Sequence, residues 1–119
     1  MSIEALWAVR FVGVNGGSIG EQSGGVIVLE SGRLFGGDTW TYYTGSYSIA
    51  NGQVTFRVNV GVHHTGGGES IFGGPLVPYS LEGVATVDAA QRTMKADLVA
   101  IGQPQMRIAA MLHRVAELP

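Results

Sequence analysis

Apolar and polar residues alternate with a period of two along most of the chain. The clearest case is Gln53–His64, where Val54, Phe56, Val58, Val60 and Val62 alternate with Thr55, Arg57, Asn59, Gly61 and His63. A strand points successive side chains to opposite faces, so this pattern predicts a half-buried strand. At ~3.3 Å per residue it would span roughly 40 Å, which suits a coiled barrel better than a flat sheet.

Seven further strands are predicted on the same ground. In Ala5–Val14, Trp7, Val9 and Phe11 oppose Leu6, Ala8, Arg10 and Val12. Gly24–Glu30 and Arg33–Gly37 are short. Tyr42–Ala50 sets Tyr43, Gly45, Tyr47 and Ile49 on one face, and Tyr79–Asp88 does so with Tyr79, Leu81, Gly83, Ala85 and Val87. Arg92–Ile101 carries Met94, Ala96, Leu98 and Ala100 in phase, and Gln105–Val115 carries Met106, Ile108, Ala110 and Leu112. The residues after Val115 read as a helical turn or a frayed tail.

The connections fit this reading. Ser31-Gly32 and Asn51-Gly52 are two-residue hairpin turns that tolerate positive φ, Asn51-Gly52 being the strongest such signal. Ala89–Gln91 and Gly102–Pro104 are predicted turns, Asn15–Ser23 is a flexible connection, and Thr65–Pro78, with five Gly and two Pro, is a loop. Eight consecutive strands form a meander with two exposed edges, and closure removes them. The expectation is one all-β domain over residues 1–119, an eight-stranded antiparallel up-and-down β-barrel. Such a lumen is just filled by side chains or holds one small ligand. The small inward residues Gly45, Gly83, Ala85, Ala96, Ala100 and Ala110 leave both options open.

Composition narrows the chemistry. Without Cys there is no disulfide, thiol chemistry or Cys-ligated zinc. A net charge of −2 with basic residues scattered singly gives no electrostatic footprint for nucleic acid. The opening Met1–Trp7 lacks a basic region followed by a long apolar one, and no apolar run approaches the ~20 residues of a membrane helix. A cytoplasmic protein without membrane association is expected.

The stretch Arg33–Tyr47 holds one Trp, three Tyr and one Phe among three Gly and three Thr. It reads as two short strands meeting at a kink at Gly36, Gly37 and Asp38, since Gly inside such a run marks a bend or close backbone approach. Gly36-Gly37-Asp38 followed by Tyr42-Tyr43-Thr44-Gly45-Ser46-Tyr47 resembles the GrlR family, negative regulators of type III secretion gene expression. So do Leu6-Trp7-Ala8-Val9-Arg10-Phe11 and Gly24–Arg33. The likeness covers roughly residues 4 to 63 by motif and the remainder by strand pattern. It implies a lipocalin-like barrel, a homodimer, and action by sequestering a protein partner such as a transcriptional regulator, not by chemistry. The family's acidic partner-holding run corresponds here to Ala50-Asn51-Gly52-Gln53, which contains no acid.

Candidate sites follow from residue type. Trp7, Phe11, Tyr43, Tyr47 and Phe56 fall on inward faces; they read as core, or more sharply as the lining of an apolar ligand pocket. Leu6, Ala8, Val12, Val99, Ile101, Ala109 and Met111 form an outward apolar wall on the first and last two strands, read as a homodimer surface. Asp38 among its glycines reads as a residue bonding its own backbone. His63, His64, Glu69 and distant His113 are the nearest approach to a metal set, but adjacent strand residues diverge, so no metal site is nominated. The spacing Gly20 to Gly25 lacks the Lys-Ser/Thr of a phosphate loop and precedes a strand. Gly66–Gly68 and Gly73-Gly74-Pro75 read as turns or a mobile lid. No Ser, His or acid sits in a nucleophile motif, so no catalytic residue, enzyme activity or cofactor is expected.

Overall fold

The structure, a computed structural model, describes residues 2–18, 24–64, 70, 72 and 77–119. Its strands are β1 (Ala5–Val14), β2 (Gly17–Ser18), β3 (Gly24–Glu30), β4 (Arg33–Gly37), β5 (Thr41–Ala50), β6 (Gln53–Val62), β7 (Tyr79–Val87), β8 (Thr93–Ala100) and β9 (Gln103–Ala116). All pairings are antiparallel between neighbours in the order β1-β3-β4-β5-β6-β7-β8-β9, and β9 pairs back onto β1. This is a closed eight-stranded up-and-down barrel. The two-residue β2, inside the stretch expected to be a flexible connection, only folds back on the end of β1.

The turns show why the chain reverses where it does. Both residues of Asn15-Gly16, Ser31-Gly32 and Asn51-Gly52 have positive φ, between 52° and 86°. That geometry matches the right-handed twist of the flanking strands. The two short strands expected to meet at Gly36-Gly37-Asp38 are β4 and β5, joined there by a full antiparallel reversal that Asp38 starts, and Asp38 bonds its local backbone as its sequence setting suggests. Its N–H donates to the Thr41 carbonyl at 2.9 Å, and its carboxylate accepts from the Trp40 and Thr41 N–H groups. The last strand also runs farther than periodicity suggests. Pro104, expected in a turn, lies inside β9, and β9 continues through Ala116, where a helical turn was one alternative.

One end of the barrel is sealed. Ile3, Ala5, Trp7, Leu29, Val54 and Met94 are buried there, and Trp7 Nε1–H donates to the Ile3 carbonyl at 2.9 Å. Arg114, on the inward phase of β9, is buried among them. It donates to the carbonyls of Ser2 (2.8 Å), Gln91 (3.3 Å) and Glu4 (3.3 Å) and pairs with Glu117 at 2.8 Å. Its guanidinium carbon lies 5.8 Å from the centre of the Trp7 ring, within cation–π range. One side chain therefore ties the chain's beginning, the β7–β8 turn and its end to the base. At this end β5 overhangs the β3–β4 turn: Tyr47 N–H still reaches the Gly32 carbonyl, but β4 offers Ser48–Ala50 no partner. Ile49, inward by phase, is consequently exposed.

Candidate functional site

The open end collects the residues with chemistry. It is formed by the β4–β5 reversal, the end of β6, the start of β7 and the β8–β9 turn. Asp38 Oδ1 accepts from the N–H groups of Trp40 (3.0 Å) and Thr41 (2.7 Å) and from the Thr41 hydroxyl (2.8 Å). Asp38 Oδ2 accepts from the Tyr43 hydroxyl. His63 Nε2 donates to the Asp38 carbonyl at 2.9 Å, and the His64 ring stacks on Trp40 at 4.9 Å between centres. Tyr79 meets Phe72 edge to face at 5.7 Å.

Protonation follows from these contacts. Burial acts to raise the Asp38 carboxyl, but the hydrogen bonds from Tyr43, Thr41 and Trp40 together hold it below its ordinary 3.8. Burial, and after it the bond to Asp38 and that residue's negative charge, pushes the Tyr43 phenol far above 10.0. Burial and the same charge push Tyr79 up to about 12. Asp38 is therefore an anion and both tyrosines are neutral at physiological pH.

The sign of the linkage gives a prediction. The phenols keep their protons in the fold while the unfolded chain releases its own near pH 10, so stability falls as pH rises through roughly 10. Asp38, depressed in the fold, contributes stability above about pH 4 that is lost as pH falls through its folded value. Melting temperature against pH is expected to fall off on both sides of a plateau. The Tyr43→Phe, Tyr79→Phe double variant should show a shallower alkaline decline. An unchanged alkaline slope would assign that limb elsewhere.

Beneath this cluster lies an apolar cavity of about 60 Å³, lined by Phe11, Tyr43, Phe56, Val60, Tyr79 and Leu81 among others. Of the five aromatics nominated from the sequence, Phe11, Tyr43 and Phe56 face it. Trp7 and Tyr47 do not; Trp7 is fully buried at the sealed end and Tyr47 packs on the core there. Tyr79 and Leu81 line the cavity as well, and their place on the inward phase of β7 is the sequence signal for it. Arg114 carried a signal too, a cation at an apolar-phase position.

The outer wall also differs in detail. β1, β8 and β9 are neighbours, but charge interrupts their apolar residues. Met111 stands between Arg10 and Lys95, Ala109 lies opposite Asp97, and Val99 lies opposite Arg107. Leu6, Ala8, Val12, Val99, Ala109 and Met111 are half-buried and Ile101 is exposed. Val12 and Gly13 share a register shift opposite Ala109, beside a shallow groove of about 610 Å³ lined by Val12, Val84, Asp97, Val99 and Arg107. On the other flank the cross-strand rows Leu6–Val28–Phe35 and Ala8–Val26 are apolar without interruption, and Val26 and Phe35 are 45% and 43% exposed.

His63 and His64 are exposed at the open end, whereas His113 lies opposite Ala8 on the outer wall. Glu69, Gly20, Gly66–Gly68 and Gly73-Gly74-Pro75 lie outside the described residues. Among the described residues no group of three His, Cys, Asp or Glu is placed to hold a metal. Nor is any described helix long and apolar enough to cross a membrane.

No family model and no curated protein matches the chain.

Proposed function

We propose that the chain is a non-enzymatic, cytoplasmic binding protein of GrlR-like character that acts through a protein partner, such as a transcriptional regulator, and works as a homodimer. The observation that carries this reading is where the apolar surface lies. Ligand pockets usually measure roughly 300–1,000 Å³, and the cavity here holds about 60 Å³, so the barrel's own side chains occupy most of the lumen. Large apolar side chains stand on the outer wall instead, at Val26 and Phe35, and contiguous exposed apolar surface marks a contact site. The acid-free hairpin Ala50–Gln53 directs partner contact to the wall.

Two faces are assigned. The β1–β8–β9 wall, with its alternating charges, suits self-association, because opposite charges around an apolar centre complement themselves across a two-fold axis. The Leu6–Val28–Phe35 face suits a second protein. In sedimentation velocity the protein is expected to run as a dimer, Met111→Glu or Val99→Asp as a monomer, and Phe35→Glu as a dimer that no longer retains the partner. A monomeric wild type that copurifies with no protein would refute the reading.

One observation favours a second reading, a small-molecule carrier or sensor for an apolar ligand. Two neutral phenols line the cavity, and one of them, Tyr43, bonds the Asp38 carboxylate beyond it, an apolar body with a polar neighbourhood, as binding sites are commonly built.

A further inference from the structure

We propose that the open end of the barrel binds a small free alkylammonium, its charge held by Asp38, Tyr43 and Tyr79 and its short apolar tail inserted into the lumen. This rests on the carrier reading and names its ligand class.

Charge comes first. Asp38 is partly buried, yet no Lys or Arg pairs with it among the described residues. The sequence stretches 15–23 and 63–78 contain no Lys or Arg. A carboxylate sheltered from water without a counter-cation favours a cationic ligand.

Hydrogen bonding comes next. A carboxylate offers about four acceptor positions, two on each oxygen. Oδ1 is filled by Trp40 and Thr41, whereas among the described residues Oδ2 takes only the Tyr43 hydroxyl, which leaves it one lone pair. The Tyr43 oxygen, while its O–H donates to Asp38, can still accept a hydrogen bond. Tyr79 lines the cavity and its hydroxyl makes no hydrogen bond to any described residue. Tyr43 and Tyr79 flank Val60 on neighbouring strands and line the same cavity, and Tyr43 bonds Asp38, so the three groups share one end of the barrel. An ammonium brings three N–H donors and no acceptor; the site presents three oxygens able to accept. A hard metal ion would require six or more oxygen ligands, and one carboxylate with two neutral phenols falls short.

The cavity fixes orientation and size. Its apolar part lies deeper in the barrel than Asp38, so a free amine keeps its charge at the mouth and sends its tail inward. A lysine side chain of a protein would have to arrive charge first, leaving its stem outside the cavity. An engineered cavity of roughly 150 Å³ accepts benzene; about 60 Å³ restricts the tail to a few carbons.

The test is a titration of the full chain followed by amide shifts in a proton–nitrogen correlation spectrum. The probe is n-butylammonium at neutral pH, carried to roughly 50 mM because so small a ligand binds weakly. The amides of Tyr43, Tyr79 and Leu81 are expected to shift together and saturably. Asp38→Asn should weaken binding at least tenfold. Tyr79→Phe, which breaks no hydrogen bond to a described residue, should weaken it several-fold with an unchanged melting temperature, and it decides the matter should the Asp38 variant fold poorly. n-Butanol and Nα-acetyl-lysine methylamide should each bind at least tenfold more weakly. Equal binding of n-butanol would overturn the ammonium assignment and leave the carrier reading standing. Equal binding of the lysine derivative would overturn the inserted tail. Absence of shifts with both n-butylammonium and n-butanol would overturn the carrier reading with it.

Discussion

Gly45→Ala is expected to abolish the barrel, although it adds a single methyl group. A Cβ at position 45 would lie 1.9 Å from the Arg57 carbonyl oxygen and within 3.1 Å of the Arg57 carbonyl carbon and Val58 Cα. Ordinary contact lies near 3.5 Å, so one strand must withdraw by more than 1 Å, roughly. The obstacle is backbone, with no side chain to swing aside. Gly45 is paired on both flanks, with Leu34 of β4 and Val58 of β6, so withdrawal breaks ladder hydrogen bonds in the middle of a closed sheet. Overpacking of an adaptable core costs about 1–3 kcal/mol; a clash with fixed backbone should exceed about 4 kcal/mol, against a total stability of about 5–15 kcal/mol. Chemical denaturation should show little or no native baseline. The control is Gly17→Ala in β2, where the new methyl would meet no described residue closer than 3.6 Å; it should change stability by less than about 0.5 kcal/mol. Equal midpoints for the two variants would mean that the sheet yields at Gly45.

The second large effect is expected at Arg114. Truncation to Ala removes the donors on the carbonyls of Ser2, Glu4 and Gln91 and the cation over Trp7. Hydrogen bonds from a charged donor contribute about 1.5–3 kcal/mol each, and the freed carbonyls near the barrel's end recover part of this from water. A net loss of about 3–4 kcal/mol and a fall of about 10–15 °C in melting temperature follow. The ion pair with Glu117 is the lesser part, because Glu117 is 67% exposed and such pairs contribute about 0–1 kcal/mol. Glu117→Gln should therefore cost under about 1 kcal/mol, and Arg114→Lys should fall between the two, since an ammonium lacks the guanidinium fork. If Glu117→Gln proves as costly as Arg114→Ala, the ion pair and not the carbonyl clamp closes the base.

Much of this barrel was legible in the chain because a strand's period of two reports directly which face is buried. Gln53–Val62 shows it plainly: Val54, Phe56, Val58 and Val60 are buried in the order their alternation demands. The turns were legible for a related reason. Ser31-Gly32 and Asn51-Gly52 accept positive φ, and the structure uses it there. The strand limits were less so. His63 and His64 continue the alternation of β6 but bond across to the Trp40 carbonyl beyond the sheet.

The functional residues divide in the same way. Phase alone placed Phe11, Tyr43 and Phe56 inward, and they line the cavity. Phase says nothing of height along the barrel axis, so it could not separate them from Trp7, which seals the opposite end. Ile49 fails for the same reason: inward by phase, it lies beyond the reach of β4. The sequence by itself determined an all-β meander, the sidedness of its strands and most of its reversals, because these depend on residues near one another in the chain. Only the tertiary structure decided the rest. That Asp38 meets Tyr43, that Tyr43 and Tyr79 line one cavity, that Arg114 reaches back to Ser2 and Glu4, and that the lumen keeps only about 60 Å³ depend on closure of β9 onto β1 and on the stagger of every register between them. Those are sums of long-range packing, which no local pattern records.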